Sequence, residues 1–169
     1  GDPKPEWLYG VEPGGYVPPT AVCRRRPRRS ASVPVPVLIS GHLDTVHNPG
    51  SPFKSLTVAA DGKTATGPGC VDMKGGLVIA LTALEVLEEI GLDLAWTVVL
   101  NSDEETGSYH SETALRKEGQ RVAAEGGVGL VLEPALPDGS LVVERLGSGQ
   151  FMIEARGRAA HVGRDFEHG

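Results

Sequence analysis

The sequence is short of cysteine, of aromatic residues, of long apolar runs and of positive charge. Its only two cysteines are Cys23 and Cys70. Two thiols cannot make the disulfide framework of a small secreted domain, and both are expected to be free. Aromatic residues make up 5% of the chain, which leaves little to stack on nucleobases. No apolar run approaches the roughly 20 residues that span a bilayer, so no membrane partner is expected. Lys+Arg number 16 against Asp+Glu 22, a formal net charge of -6, and this balance argues against a general nucleic-acid binder. No basic-then-apolar leader opens the chain, so the default expectation is a cytoplasmic location. Glycine (23) and proline (13) are plentiful and point to many turns. With 40% apolar and 22% charged residues, the composition is that of a folded globular domain.

Residues 1–35 carry little pattern. Pro3, Pro5, Pro13, Pro18, Pro19 and Pro27 exclude long helices and central strands there. The same stretch holds the arginine run Arg24, Arg25, Arg26, Arg28 and Arg29. Without interleaved aromatics it is expected to be a solvated, flexible arm, and nucleic-acid binding through Arg24–Arg29 is the weakest alternative.

From residue 35 the pattern sharpens. Val35, Val37, Leu38 and Ile39 predict a buried strand that ends at Ser40-Gly41. Residues 74–90 predict a helix, with Leu77, Leu81, Leu84 and Leu87 at helical spacing and Gly91 as its stop. Trp96–Leu100 predicts a second buried strand, 109–118 a short polar helix, and Val128–Leu132 a third strand. Leu141–Leu146 and Phe151–Ala155 alternate, which suggests a hairpin around Gly147-Ser148-Gly149. Strands alternating with helices predict an α/β fold, with a mostly parallel sheet and flanking helices. Such sheets place ligands at the carboxyl ends of their strands.

Polar residues follow each predicted strand. His42-Leu43-Asp44-Thr45 follows the first, Asp103-Glu104-Glu105-Thr106-Gly107 the second, and Glu133-Pro134 the third; Asp72 leads directly into the helix. Carboxylates gathered in one place repel each other and are costly to desolvate, so a fold that collects them usually neutralises them with cations. A histidine among them favours a borderline ion such as zinc over calcium or magnesium. In an extended segment His42 and Asp44 face the same side, and the Asp44 carboxylate is then placed to hold the second imidazole nitrogen. Adjacent Glu104 and Glu105 point differently, so one can bind metal while the other takes a proton from an activated water.

Five segments together resemble a known family: Gly41-His42-Leu43-Asp44-Thr45-Val46, Gly67–Gly76, Asp103–Ser108, Glu133-Pro134 and Gly157-Arg158-Ala159-Ala160-His161-Val162-Gly163. In order and spacing they are similar to the di-zinc metallopeptidases and deacylases that include glutamate carboxypeptidase, acetylornithine deacetylase, succinyl-diaminopimelate desuccinylase and aminoacylase, with the glutamate carboxypeptidase-like branch nearest. The resemblance covers residues 36 to 169. It implies that His42 and Glu133 bind one zinc, that Asp72 bridges two, and that Glu105 binds the other, with cobalt or manganese as substitutes. It implies Asp44 as the residue that orients the ligands and Glu104 as general base. His161, on a lid domain, would polarise the scissile carbonyl. It also implies a cis peptide between Asp72 and Met73, a homodimer formed through the lid, and a small peptide or N-acyl amino acid as substrate. Lys74, Arg164 and His110 are further candidates for the pocket. Cys70 is expected to be a small buried residue, and His47 and His168 surface residues.

The family's catalytic domain is discontinuous and takes a last histidine ligand from beyond an inserted lid. The division expected here is an irregular arm over 1–35, the N-terminal half of a metallopeptidase catalytic domain over 36–147, and the start of an α+β lid over 148–169. The final residues 163–169 close no element, and the chain is expected to be a piece of a longer protein; alone it is expected to bind at most one zinc well and to hydrolyse little or nothing. A truncated remnant that acts as a binding or dimerisation module, without catalysis, is the alternative.

Overall fold

The apolar runs after residues 36, 95 and 127 become three neighbouring strands of one sheet. A computed structural model describes residues 15–27, 35–144, 146–147, 153 and 156–168. In chain order its elements are β1 (Ala21–Arg25), β2 (Val37–His42), β3 (Thr57–Val58), β4 (Ala65–Thr66), α1 (Gly75–Glu89), β5 (Trp96–Asn101), α2 (Glu112–Ala124) and β6 (Val128–Val131), with a short 3-10 turn at Phe166–His168. The main sheet has the order β1-β5-β2-β6, and β3 and β4 form a separate antiparallel pair. β5 and β6 both run parallel to β2, and β1 runs antiparallel to β5. The fold is therefore α/β with a mixed, mostly parallel sheet. The chain leaves β2 for β5 on one side, then crosses by α2 to β6 on the other. Connections that diverge in this way open a crevice at the carboxyl end of β2.

Alternation along the strands sets the two faces. Val37 pairs in register with Trp96, and Ile39 with Val98. These residues pack with Ala80, Leu84, Leu100 and Leu132 into the main apolar cluster, under α1. Gly41 lets α1 approach the end of β2: a Cβ there would stand 2.5 Å from Leu77 Cδ2 and 2.7 Å from Met73 Cε. The buried stripe of α1 runs through Leu77 and Ala80 with Leu84 and Leu87 half-buried, whereas the expected stripe residue Leu81 is exposed. The smaller Ala80 takes the position nearest the strands. On the opposite face, α2 covers buried Thr97 and Val99 with Val122, and Arg121 donates to Thr97 Oγ1.

Several expectations need correction. The segment expected to be an irregular, solvated arm contains β1, an edge strand flanked by Pro18, Pro19 and Pro27. Arg24 pairs with buried Glu118 of α2. Arg25 donates to the Leu94 carbonyl at 2.8 Å and stands 3.4 Å from Asp93 and 3.6 Å from Glu88. Proline is compatible with an edge strand, and the arginines take acceptors on the helices and turns beside it. The helix expected over 109–118 begins at Glu112 and continues to Ala124, because residues 103–111 are committed to a hydrogen-bonded loop. β6 is not buried: Val128, Leu130 and Val131 are exposed, and among the described residues β6 pairs with β2 alone. Cys70 is half-buried. Of the expected hairpin, residues 141–144 form no strand, and 148–152, 154 and 155 lie outside the described residues. The described residues form two compact units, one within 1–134 and one within 135–169. No described helix is long and apolar enough to cross a membrane.

Candidate metal centre

His42 ends β2, and its imidazole is 1% exposed. The chain places oxygen atoms on both of its nitrogens. Nδ1 lies 3.0 Å from the backbone carbonyl oxygen of Asp44, and Nε2 lies 3.0 Å from Asp72 Oδ1, 3.8 Å from Glu133 Oε2 and 4.0 Å from Glu104 Oε2. The backbone N–H of His42 donates to Met73 Sδ at 3.3 Å. Asp72 stands in a wide turn over Cys70–Lys74, where Asp72 and Met73 leave helical geometry (φ -116°, ψ 100° and φ -125°, ψ 22°). Their shared peptide bond is cis, as the resemblance implies. Gly69, with φ 74°, opens this turn in a conformation that suits glycine.

The loop after β5 is organised by Asp103, which the sequence reading left without a role. Asp103 is 1% exposed. Its Oδ2 accepts from the backbone N–H of His110 (2.7 Å) and of Ser111 (3.1 Å), and its Oδ1 lies 3.3 Å from the donating Asn101 amide. Asn101 also donates to Ser111 Oγ at 2.9 Å. Burial alone would raise the Asp103 pKa, but these hydrogen bonds outweigh it and the net shift is downward. The anchored loop presents Glu104 and Glu105. A signal was present in the sequence, an acid directly after a strand and eight residues before a serine at a helix start, but nothing in that spacing says that the acid turns inward.

Asp44 ties the two loops together. Its carboxylate was expected on the second imidazole nitrogen; its backbone carbonyl takes that place, and its Oδ2 instead accepts from the backbone N–H of Glu105 at 2.9 Å. Asp44 Oδ1 is buried, 3.4 Å from His42 Nδ1, with no hydrogen-bond partner among the described residues.

Among the sequence-selected ligands, His42, Asp72 and Glu133 come together: one donor atom from each lies within 4.8 Å of the others. Glu105 stays outside that group. Glu104 borders it. His161 belongs to the second unit, where it is exposed and its Nδ1 accepts from the Gly163 N–H at 3.1 Å. Arg164 also lies in that unit, and its N–H donates to the His161 carbonyl. His110 is exposed and enters the loop through its backbone. His47 packs edge-on to Phe53.

These contacts have a chemical consequence. A carbonyl and carboxylates only accept hydrogen bonds, and they occupy both sides of one imidazole. With its Nδ1 proton donated to the carbonyl, the ring must carry a second proton, accept one from a protonated carboxyl, or share the Nε2 lone pair with a cation. Burial lowers the His42 pKa, but the Asp72 hydrogen bond, the Asp44 carbonyl and the charges of Glu133 and Glu104 bring the net shift upward. Burial raises the pKa of Glu104, the His42 charge opposes this, and Glu105, Asp44 and Asp72 add to it. Glu133 is raised too, first by burial. One imidazole nitrogen with two carboxylates is a donor set that suits zinc, and the acids partly exposed around it leave a side open to solvent. The residues present fit a divalent ion.

Comparison with known proteins agrees with this chemistry. A family profile described as Peptidase family M20/M25/M40 matches residues 38–162. Carboxypeptidase G2 of Pseudomonas sp. (strain RS-16) is 33% identical over 134 residues, which cover 75% of this chain and 30% of the relative. The chain thus spans about a third of the length of the curated relative that it matches.

Proposed function

The chain belongs to peptidase family M20/M25/M40, and on that premise we propose that the protein hydrolyses an amide bond in a peptide or an N-acyl amino acid. The observation that carries this reading is the meeting of His42 Nε2 with Asp72, Glu133 and Glu104 at the carboxyl end of the sheet. His42, Asp72 and Glu133 would hold one zinc ion, and Asp72 and Glu105 would contribute to a second, with cobalt or manganese as substitutes. Bound zinc supplies Lewis acidity toward a carbonyl and makes a water acidic near neutrality.

The remaining chemistry falls to side chains. Glu104 takes a proton from the attacking water and passes it to the departing nitrogen, so that a carbon–oxygen bond forms as the carbon–nitrogen bond breaks. An upward-shifted carboxyl is suited to hold that proton in transit. The Asp44 carbonyl fixes the imidazole so that Nε2 faces the acids, and the Asp44 carboxylate holds the Glu105 backbone. Stabilisation of the oxyanion by His161, and a homodimer through the second unit, rest on the resemblance of the Gly157–Gly163 segment.

Replacement of the general base tests the reading. In the metal-loaded full-length protein, Glu104→Gln should lower amide hydrolysis by about 10²–10⁴-fold and leave the bound metal unchanged. Turnover within a few-fold of the unaltered protein would contradict the mechanism.

A further inference from the structure

α1 carries a second apolar seam that the sheet does not use. Leu77, Ala80, Leu84 and Leu87 form its covered side, whereas Ile79, Ala83, Val86 and Ile90, at steps of four, three and four, are exposed. A helix that is apolar on two sides is built to be covered on both. The seam runs along the β6 side of α1. A Cβ on Gly76 would collide with the carbonyl oxygen of Leu132, just past β6, and Ile79 and Ala83 continue that side of the helix. The strand below is open too. Val128 and Leu130 pair in register with Val37 and Ile39, so they share the α1 face of the sheet, and both are exposed. The outer edge of β6 has no partner among the described residues. Val128–Val131 holds no charge and no proline, two devices that keep an exposed edge from pairing.

We propose that this surface binds a second copy of the chain, with β6 antiparallel to β6 of the other copy and the two α1 helices antiparallel over the junction. The strand is self-complementary. Gly129 opposite Gly129 sets Val128 against Leu130 twice, on one face of two four-stranded sheets joined edge to edge. The helix stands at the matching level. Leu132 lies about 10 Å beyond Gly129 along the strand, and about 10 Å along α1 from Gly76 falls near Ala83. One twofold axis therefore passes the middle of both elements, with Ile79 of one copy against Val86 of the other and the small Ala83 at the closest approach. Charge selects the same orientation. Glu85, Glu88 and Glu89 all lie in the C-terminal half of α1, and its first turn holds no acid. Antiparallel helices set each acidic end beside the acid-free, dipole-positive start of the other, whereas parallel helices would set acid against acid. The contact uses residues of the first unit alone, so it differs from a homodimer through the second, and it stands apart from the hydrolase reading.

Sedimentation of the whole chain over a range of concentrations tests this. The unaltered chain should pass from monomer to a species of twice the chain mass. Ile79→Glu and Val86→Lys, both at exposed positions, should each raise the dimer dissociation constant by about 30-fold or more. An equimolar mixture of the two variants should recover the dimer, because the mixed pair sets the new acid against the new base. A monomer at every concentration would overturn the proposal and leave the seam to some other segment or partner. A dimer that neither substitution weakens would overturn it too, since the contact then uses another surface. Loss in both variants without recovery in the mixture would exclude the antiparallel pairing and with it the proposal. The unaltered chain gives a further check that needs no variant. Amide hydrogen exchange over 128–131 should slow by about tenfold or more as the chain passes from monomer to dimer, and exchange that stays constant would overturn the strand pairing.

Discussion

Asp103 shows how much a single buried carboxylate can organise. It accepts two backbone N–H groups at the start of α2 and one side-chain amide from the end of β5. In Asp103→Asn the amide nitrogen that replaces one oxygen cannot accept, and a buried donor is left facing another donor. The variant should lose about 1–3 kcal/mol of stability, seen as a lower urea midpoint with unchanged slope. A midpoint equal to that of the unaltered protein would show that the loop is held some other way. At this scale the sequence was informative about chemical identity and poor about direction. His42, Asp72 and Glu133 could be chosen because each follows a strand or opens a helix, places that a parallel sheet brings together. The inward turn of Asp103, and the exchange of carbonyl for carboxylate at Asp44, depend on backbone geometry that no spacing encodes.

The helices and strands are held in place by one ion network as well as by the apolar cluster. Glu118 of α2 is 1% exposed and takes hydrogen bonds from Arg24 of β1 and from Arg121 one turn along the helix. The Arg24 hydrogen bond is the main reason that its pKa falls from 4.5 to about 2, with burial opposing and Arg121 assisting. A group whose pKa is depressed by folding contributes stability above its unfolded value and loses it as pH falls. The contribution of Glu118 is therefore full above pH 4.5 and fades toward about 2. Glu118→Gln should flatten the decline of stability across that acid window, measured by urea unfolding at a series of pH values. An unchanged profile would place the acid sensitivity elsewhere. This network explains why β1 was not legible. The arginines read as a solvated run because their acceptors, Glu118, Leu94 and Asp93, lie far away in sequence. The central strands were legible, since Val37–Ile39 and Trp96–Leu100 are apolar runs interrupted only by Thr97, as a sheet covered on both faces requires. α2 was misplaced because one of its two buried positions is the charged Glu118, and because the preceding residues 103–111 are held in a hydrogen-bonded loop.

Across the whole molecule, the topology explains why these residues meet. β5 and β6 flank β2 in parallel, so the ends of all three strands open at one edge, and the Cys70–Lys74 turn brings Asp72 to the same edge. Apolar residues remain exposed on β6 and on the outer side of α1, among them Val131, Val78, Ile79 and Ile90. Exposed apolar side chains of this kind are an association hazard for the chain by itself. The α/β class and the gathering of acids at the strand ends were legible from alternation and position. The openness of β6 was not, because an apolar strand reads alike at the edge and in the middle of a sheet. The central claim is that one imidazole and two carboxylates, brought together by two strands and a turn, hold a divalent cation. Calorimetric titration of the chain with zinc, alongside His42→Ala, tests it most directly. The account predicts one equivalent bound by the unaltered chain and an affinity reduced by more than about 100-fold in the variant; no zinc binding, or equal affinity in both proteins, would contradict it.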